Sequence, residues 1–404
     1  MLELVLLLSL AGLTQGTQSG GPDVRLAGET ARGETREIPF SRLPVDDLAA
    51  LDLAVLHVHG GPVPPAAEDE RDQARLVLAG GERLGGRVAG GEGETLSLRL
   101  LGDVVLPVPI GRLESLSFPA RIPEGLTAPV AAPEELDRLY RRVGSALDTL
   151  DGTVLGFTPE GVRFETARLG ERLIPWSEVA ALFVEVLADD AAPAHPSGAP
   201  VVVDLADGSR LRGRMRRLSS AGLELSVGGT TEIALPLSAI GEIARDDGTI
   251  AFLSDLVATR EEGRGNPFDA GDGEAYGMVW PHRADRSATG GPLKAGGRVC
   301  RRGIGAHAPS RIHFDLDGTF RELHGSVAVD DSVLLLPARG SVIFRIFLDG
   351  ERVFESASLS AGDAPMAFPP VQLAGKRELV LEADMASDLN QGDRADWLRM
   401  MLVQ

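Results

Sequence analysis

Three stretches of the chain share one phrase: VPIGRLESL at Val108–Leu116, IPWSEVAAL at Ile174–Leu182 and LPLSAIGEI at Leu235–Ile243. They align without gaps, and each proline is followed four and seven residues later by an aliphatic: Leu113 and Leu116, Val179 and Leu182, Ile240 and Ile243. Proline cannot donate to a sheet ladder, so it predicts a tight one-turn element between two short strands. Upstream of the phrases stand the hairpin signals Gly80-Gly81-Glu82, Asp151-Gly152-Thr153 and Asp207-Gly208-Ser209, because glycine and aspartate tolerate positive φ. Between turn and proline the residues alternate, as in Leu211, Gly213 and Met215 against Arg210, Arg212, Arg214 and Arg216. That is the period of a half-buried strand. The phrases therefore mark three small β-modules, over 75–132, 133–188 and 201–249.

Their size and strand rhythm resemble Sm-like or SH3-like barrels. The function usual for Sm-like barrels, RNA binding, does not carry over, since 40 Lys and Arg stand against 59 Asp and Glu, a formal charge of −19. The four alternating arginines read as a solvated strand face balanced by acids such as Asp204, Glu224 and Glu232. Nucleic acid is thus excluded as the expected partner. A length of 404 residues implies about three domains or more. The lone Cys300 excludes an internal disulfide framework and a Cys-cluster zinc site. Residues 189–200, rich in Ala, Pro and Asp, read as a linker. Within 133–188, Leu136, Leu139, Tyr140, Val143 and Leu147 fall at helical spacing behind Glu134 and Glu135, which predicts one amphipathic helix over 133–150. The apolar run Leu4–Leu13 predicts a signal peptide over 1–19, hence an exported chain, secreted, periplasmic or on the cell surface, with no membrane-spanning segment. Residues 20–74 read as a linker and a short N-terminal segment, the first part of it disordered.

From about Ile250 the texture changes. Ile312, Phe314 and Leu316, then Val327 and Val329, then Val342, Phe344, Ile346 and Leu348, then Leu379 to Leu381 form short apolar or alternating runs bounded by Gly, Pro or Asp. Asp349-Gly350 is a hairpin signal. The expected fold is all-β: small barrel-like repeats followed by an antiparallel sandwich or jelly roll over 250–404.

Five motifs occur there in order: Arg302 to Ser310 (RGIGAHAPS), Val329-Asp330-Asp331, Gly340 to Phe344 (GSVIF), Gly362 to Pro365 (GDAP) and Asp393 to Trp397 (DRADW). Together they resemble the NPCBM family of carbohydrate-binding modules. The resemblance implies a galactose-binding-like β-sandwich that recognises sugar, with a galactose-type glycan as the natural candidate, and does not cleave it. Hexose hydroxyls need a few convergent hydrogen-bonding groups and their C–H faces need an apolar surface. His307, Asp330, Asp331, Asp396 and Trp397 supply both kinds and are the candidate carbohydrate site. Trp280 is a further exposed candidate, with no partner pattern around it. Asp388, Asn390 and Asp393 offer hard oxygens to a structural calcium ion of the kind such sandwiches often carry.

No His-Glu-x-x-His, nucleophile elbow or phosphate-binding Gly-Lys-Ser pattern is present, and His57 and His59 lack a third ligand nearby. The expected function is that of an exported, non-catalytic carbohydrate-binding protein. The alternatives are a cell-envelope scaffold with a protein partner, or an accessory glycoside hydrolase with two carboxylates across a cleft.

Overall fold

The computed structural model describes residues 24–60, 70–124, 130–133, 135–185, 197–229, 231–263, 280–337, 339–386 and 392–404. The signal-peptide reading, the stretch 61–69 and most of the 189–200 linker lie outside these residues. The described chain is built of antiparallel strands and single turns of 3-10 helix. Among the described residues no helix is long and apolar enough to cross a membrane.

Each proline phrase closes a set of five strands. The first set is Gln73–Leu78, Arg83–Glu92, Thr95–Arg99, Val105–Pro109 and Leu113–Ser117. The second is Asp137–Val143, Ala146–Phe157, Gly161–Thr166, Gly170–Pro175 and Val179–Phe183. The third is Ala199–Leu205, Arg210–Ser219, Gly222–Val227, Thr231–Leu235 and Ile240–Arg245. In all three the first strand pairs with the second and with the fifth, so the sheet curls back on itself. The long second strand is bulged in each, between Val88 and Gly91, Val154 and Gly156, and Met215 and Arg217. A bulge bends a strand and increases its twist, which lets one strand serve both sides of a small barrel. Pro109 and Pro236 each lead into a single 3-10 turn.

The strand within each phrase also makes the outer contacts. Leu116 pairs with Leu182, joining the first two barrels edge to edge, and Ile243 pairs with Leu56 on the strand Val55–His59. A single hydrophobic cluster runs through all of these elements.

Two expectations are corrected. Residues 133–150 hold no helix among those described: Asp137–Val143 and Ala146–Phe157 form a hairpin with Gly144 at φ +64° in its turn. Arg138 pairs with Asp151 and Arg141 with Asp148 across it. Leu139 and Val143 are four apart, an even spacing that fits one face of a strand as well as a helix stripe, while Leu147 lies across the turn opposite Arg142, on the other face. Residues 20–74 are likewise more than a linker, since Arg25–Glu29, Thr35–Glu37 and Val55–His59 are paired strands of the large sheet. Val55–His59 pairs with Ile240–Arg245, nearly two hundred positions further along the chain.

The C-terminal part is a two-layered sandwich. One sheet contains Gly303–His307, Glu322–Val329 and Arg394–Val403; the other contains Ser310–Asp315, Ser341–Leu348, Glu351–Glu355 and Glu378–Met385. Ile304, Ile312, Phe314, Val327, Phe344, Ile346, Leu381 and Trp397 fill the space between them. The Asp349-Gly350 turn has φ of +50° and +80°, as a two-residue hairpin of the matching twist requires.

Sandwich and barrels are joined by a continuous line of charges. Asp285 receives Arg210 Nη1 at 2.6 Å, and Arg210 Nε reaches Asp204 at 2.7 Å. Arg302 Nε lies 3.1 Å from Asp204 and 3.5 Å from Glu242, with its Nη1 3.1 Å from Asp255. His57 sits 3.2 Å from Glu242 and 3.5 Å from Glu29, which Arg399 reaches at 2.6 Å. Arg302, only 1% exposed, also lies over the Phe252 ring. The basic strip is therefore not uniformly solvated: Arg210 belongs to this buried line, whereas Arg214 and Arg216 meet backbone carbonyls at the surface.

Burial alone would push the His57 imidazole down, but hydrogen bonds to Glu242 and Glu29 and the charge of Glu242 raise it to about 9, against the opposing charge of Arg399. A raised folded value means the stabilisation is complete below 6.5 and is lost as pH rises through about 9. Thermal melts of the wild type should fall across that window, and those of His57→Leu should be flatter there; equal slopes would contradict the assignment. Replacing Arg302 by Met leaves Asp204 and Glu242 buried without their shared cation, and urea denaturation should show a loss of about 3–5 kcal/mol. Arg163→Gln, which breaks an exposed pair with Glu171, should leave the urea midpoint unchanged.

Candidate functional site

The strand Gly303–His307 ends where Arg394–Val403 begins, and His307 is the register partner of Arg394. Paired residues share a face of the sheet, so imidazole and guanidinium stand side by side at the rim of the sandwich. Trp280 stacks on the His307 ring, with centroids 5.3 Å apart and planes 18° from parallel. Both are partly exposed. The result is a flat aromatic surface flanked by a cation. Burial lowers the basicity of His307, the Ala308 carbonyl raises it and the Arg394 charge lowers it again; the net direction is down. A carbonyl only accepts, so the 2.9 Å contact with Ala308 places the proton on Nδ1 and leaves Nε2 as an acceptor. The surface can thus offer a stacking face, one acceptor and guanidinium donors.

The remaining members of the sequence-read site take no part in this surface. Trp397 is fully buried, edge-on to Phe344 at 5.1 Å in the sandwich core, and is no sugar platform. Asp330 accepts the amides of Ser332 and Lys294, capping one 3-10 turn and tying down the hairpin Leu293–Cys300. Asp331 accepts the amides of Gly296 and Gly297 in the turn of the same hairpin. These carboxylates are loop anchors, with 1% and 8% exposure. Asp396 is fully buried and neither of its oxygens takes a well-formed hydrogen bond from the described residues. The sequence could not separate these roles, because Asp beside a rim and Asp beneath it look alike. Trp280, by contrast, had only its exposure to recommend it, since its partner His307 comes from a distant strand.

For calcium, Asp388 and Asn390 lie outside the described residues. Asp393 is buried and accepts the Ser341 amide at 2.8 Å. Among the described residues no group of three or more His, Cys, Asp or Glu side chains is placed to hold a metal ion. Cys300 is a packed thiol that burial pushes up to about 12, with its Sγ donating to the Arg302 carbonyl at 3.1 Å.

Asp396 is held well above the ordinary carboxylate range first by burial, then by the charge and contact of Asp330 and the charge of Asp331, with the Lys294 amide opposing. A carboxyl raised in the fold contributes stability at low pH and loses it as pH rises. Asp396→Asn, neutral throughout, should therefore melt above the wild type at pH 8, with the gain shrinking as pH falls toward 4. A gain that does not vary with pH would contradict the protonated carboxyl.

Among curated proteins none matches the chain. Among solved structures, a CBM51 module from Clostridium perfringens GH95, in complex with methyl-galactose, is 23% identical over 38% of this chain and 100% of that one, with a TM-score of 0.32. The CBM51-2 and INT domains of Clostridium perfringens ZmpB are 22% identical over 45% of this chain and 36% of that one, with a TM-score of 0.33. The tandem CBM51 modules of Sp3GH98, a family 98 glycoside hydrolase from Streptococcus pneumoniae SP3-BS71, are 13% identical over 51% and 71%, with a TM-score of 0.32. The sandwich, with its five ordered motifs, matches a family model: residues 266–403 are recognised as an NPCBM/NEW2 domain, of a carbohydrate-binding module family.

Proposed function

We propose that the chain is an exported, non-catalytic glycan-binding protein whose sandwich holds a hexose on the Trp280–His307 surface. The observation that carries the reading is the parallel stack of these two rings at the sandwich rim, inside the region matched by the NPCBM/NEW2 model. An apolar ring face takes the C–H side of a sugar, His307 Nε2 accepts a hydroxyl, and Arg394 donates from the side. Galactose suits this arrangement, because its axial 4-hydroxyl leaves one continuous C–H face. The carboxylates of the neighbourhood, Asp330 and Asp331, are engaged with backbone amides, which favours binding over acid–base chemistry. Export rests on the apolar run Leu4–Leu13.

Titration calorimetry with methyl-galactoside, preceded by a glycan array, tests the reading. Trp280→Ala should weaken binding about tenfold or more without shifting the melting temperature. Affinity should hold from pH 9 to 7 and fall once the pH drops below the ordinary imidazole value of 6.5, where protonation turns Nε2 from acceptor into donor. An array blank for every sugar, or a Trp280→Ala variant that binds as the wild type does, would sink it.

A further inference from the structure

One carboxylate ties the two sheets of the sandwich together beside the rings. Among the described residues, Arg260–Gly263 is the edge strand of one sheet and Arg283–Ala284 the edge strand of the other. Glu261 is the register partner of Ile312, which packs in the core, so Glu261 leaves its strand on the core side, where an apolar residue would be ordinary. Both of its oxygens are taken by a single residue across the gap: Oε1 accepts the His282 amide at 2.7 Å, and Oε2 accepts from the His282 ring at 2.8 Å. A carboxylate only accepts, so the ring proton sits on Nδ1. An inward-pointing acid whose one task is to keep foreign strands off an edge has no need of such a grip.

His282 comes two residues after Trp280. Between them stands Pro281, whose ring fixes its own φ and keeps the residue before it out of the helical region. Beyond His282, Arg283 and Ala284 pair with Gly305 and Ile304 on the strand that ends in His307. A stack of two rings needs both backbones held. His307 is held by its ladder to Arg394, whereas Trp280 lies outside any strand and depends on the short, stiff link to His282. We propose that Glu261 is a positioning residue for the sugar surface: it grips His282 and, through Pro281, sets the Trp280 indole on His307 before a sugar arrives. An indole already in place is not ordered at the expense of binding. This role rests on the glycan-binding reading for its effect on affinity, and on the clamp alone for its effect on the indole.

The test uses the full chain labelled with fluorotryptophan, with the Trp280 fluorine resonance identified by its loss in Trp280→Phe. Trp176, packed on the barrel core, and Trp397, in the sandwich core, report whether the fold is intact. Glu261→Ala removes both acceptors. The Trp280 resonance should then move toward its position in the urea-unfolded chain, the other two should stay, and calorimetry should show methyl-galactoside affinity lower by about tenfold or more. Glu261→Gln keeps one oxygen for the His282 amide and should recover part of both effects. A Trp280 resonance that stays in place in Glu261→Ala overturns the clamp, whether or not sugar binds. A resonance that moves while methyl-galactoside affinity equals that of the wild type overturns the positioning role and leaves the glycan reading standing. Movement of all three resonances in both variants makes Glu261 a residue of the fold at large and overturns the role as well. A wild type that binds neither methyl-galactoside nor any sugar of an array removes the glycan reading, and the positioning role with it.

Discussion

The line of charges from Asp285 through Arg210, Asp204, Arg302, Glu242, His57 and Glu29 to Arg399 is the constraint on which the rest of the molecule depends. It begins and ends in the sandwich and passes through the third barrel and the N-terminal strands between. Charges taken out of water are costly unless each finds a partner of opposite sign. Signs alternate at every step here, so removing any one inner member takes from each neighbour one of its two partners of opposite sign. Such an arrangement tolerates little sliding of sandwich against barrels, and it fixes which way the rim of the sandwich faces.

Arg399 shows how local backbone serves that line. It lies in the long strand Arg394–Val403 at φ +48°, opposite the register shift between His324 and Ser326. The bulge turns one side chain out of the strand toward Glu29, while Trp397 and Met401 on the same strand remain in apolar clusters. The other end of that strand starts at Arg394, beside His307. One strand thus carries the core, the docking contact and the edge of the aromatic surface.

The repeats were legible because their signals are local. A proline that cannot join a ladder, a glycine or aspartate in a two-residue turn, and aliphatics at even spacing each act within a few residues, as at Pro109, Asp349-Gly350 and Leu211 to Met215. The same locality explains the failure at 133–150. Leu139 and Val143 satisfy two periods at once, and the Gly144 turn with its Arg–Asp pairs decided between them. The pairing of the N-terminal strands was hidden for the opposite reason: Glu29 and His57 look like surface residues until Arg399, more than three hundred positions away, is brought against them.

By itself the sequence determined an all-β chain with three proline-closed modules and a C-terminal carbohydrate-module pattern, since turn chemistry and side-chain alternation are written residue by residue. Only the tertiary structure placed the candidate residues. Which aspartates face amides, which tryptophan fills a core and which lies open are questions of burial, set by strands that meet from distant parts of the chain. Trp397 carried the motif and went inside, where its ring packs on Phe344. Trp280 carried none and lies partly exposed, stacked on His307.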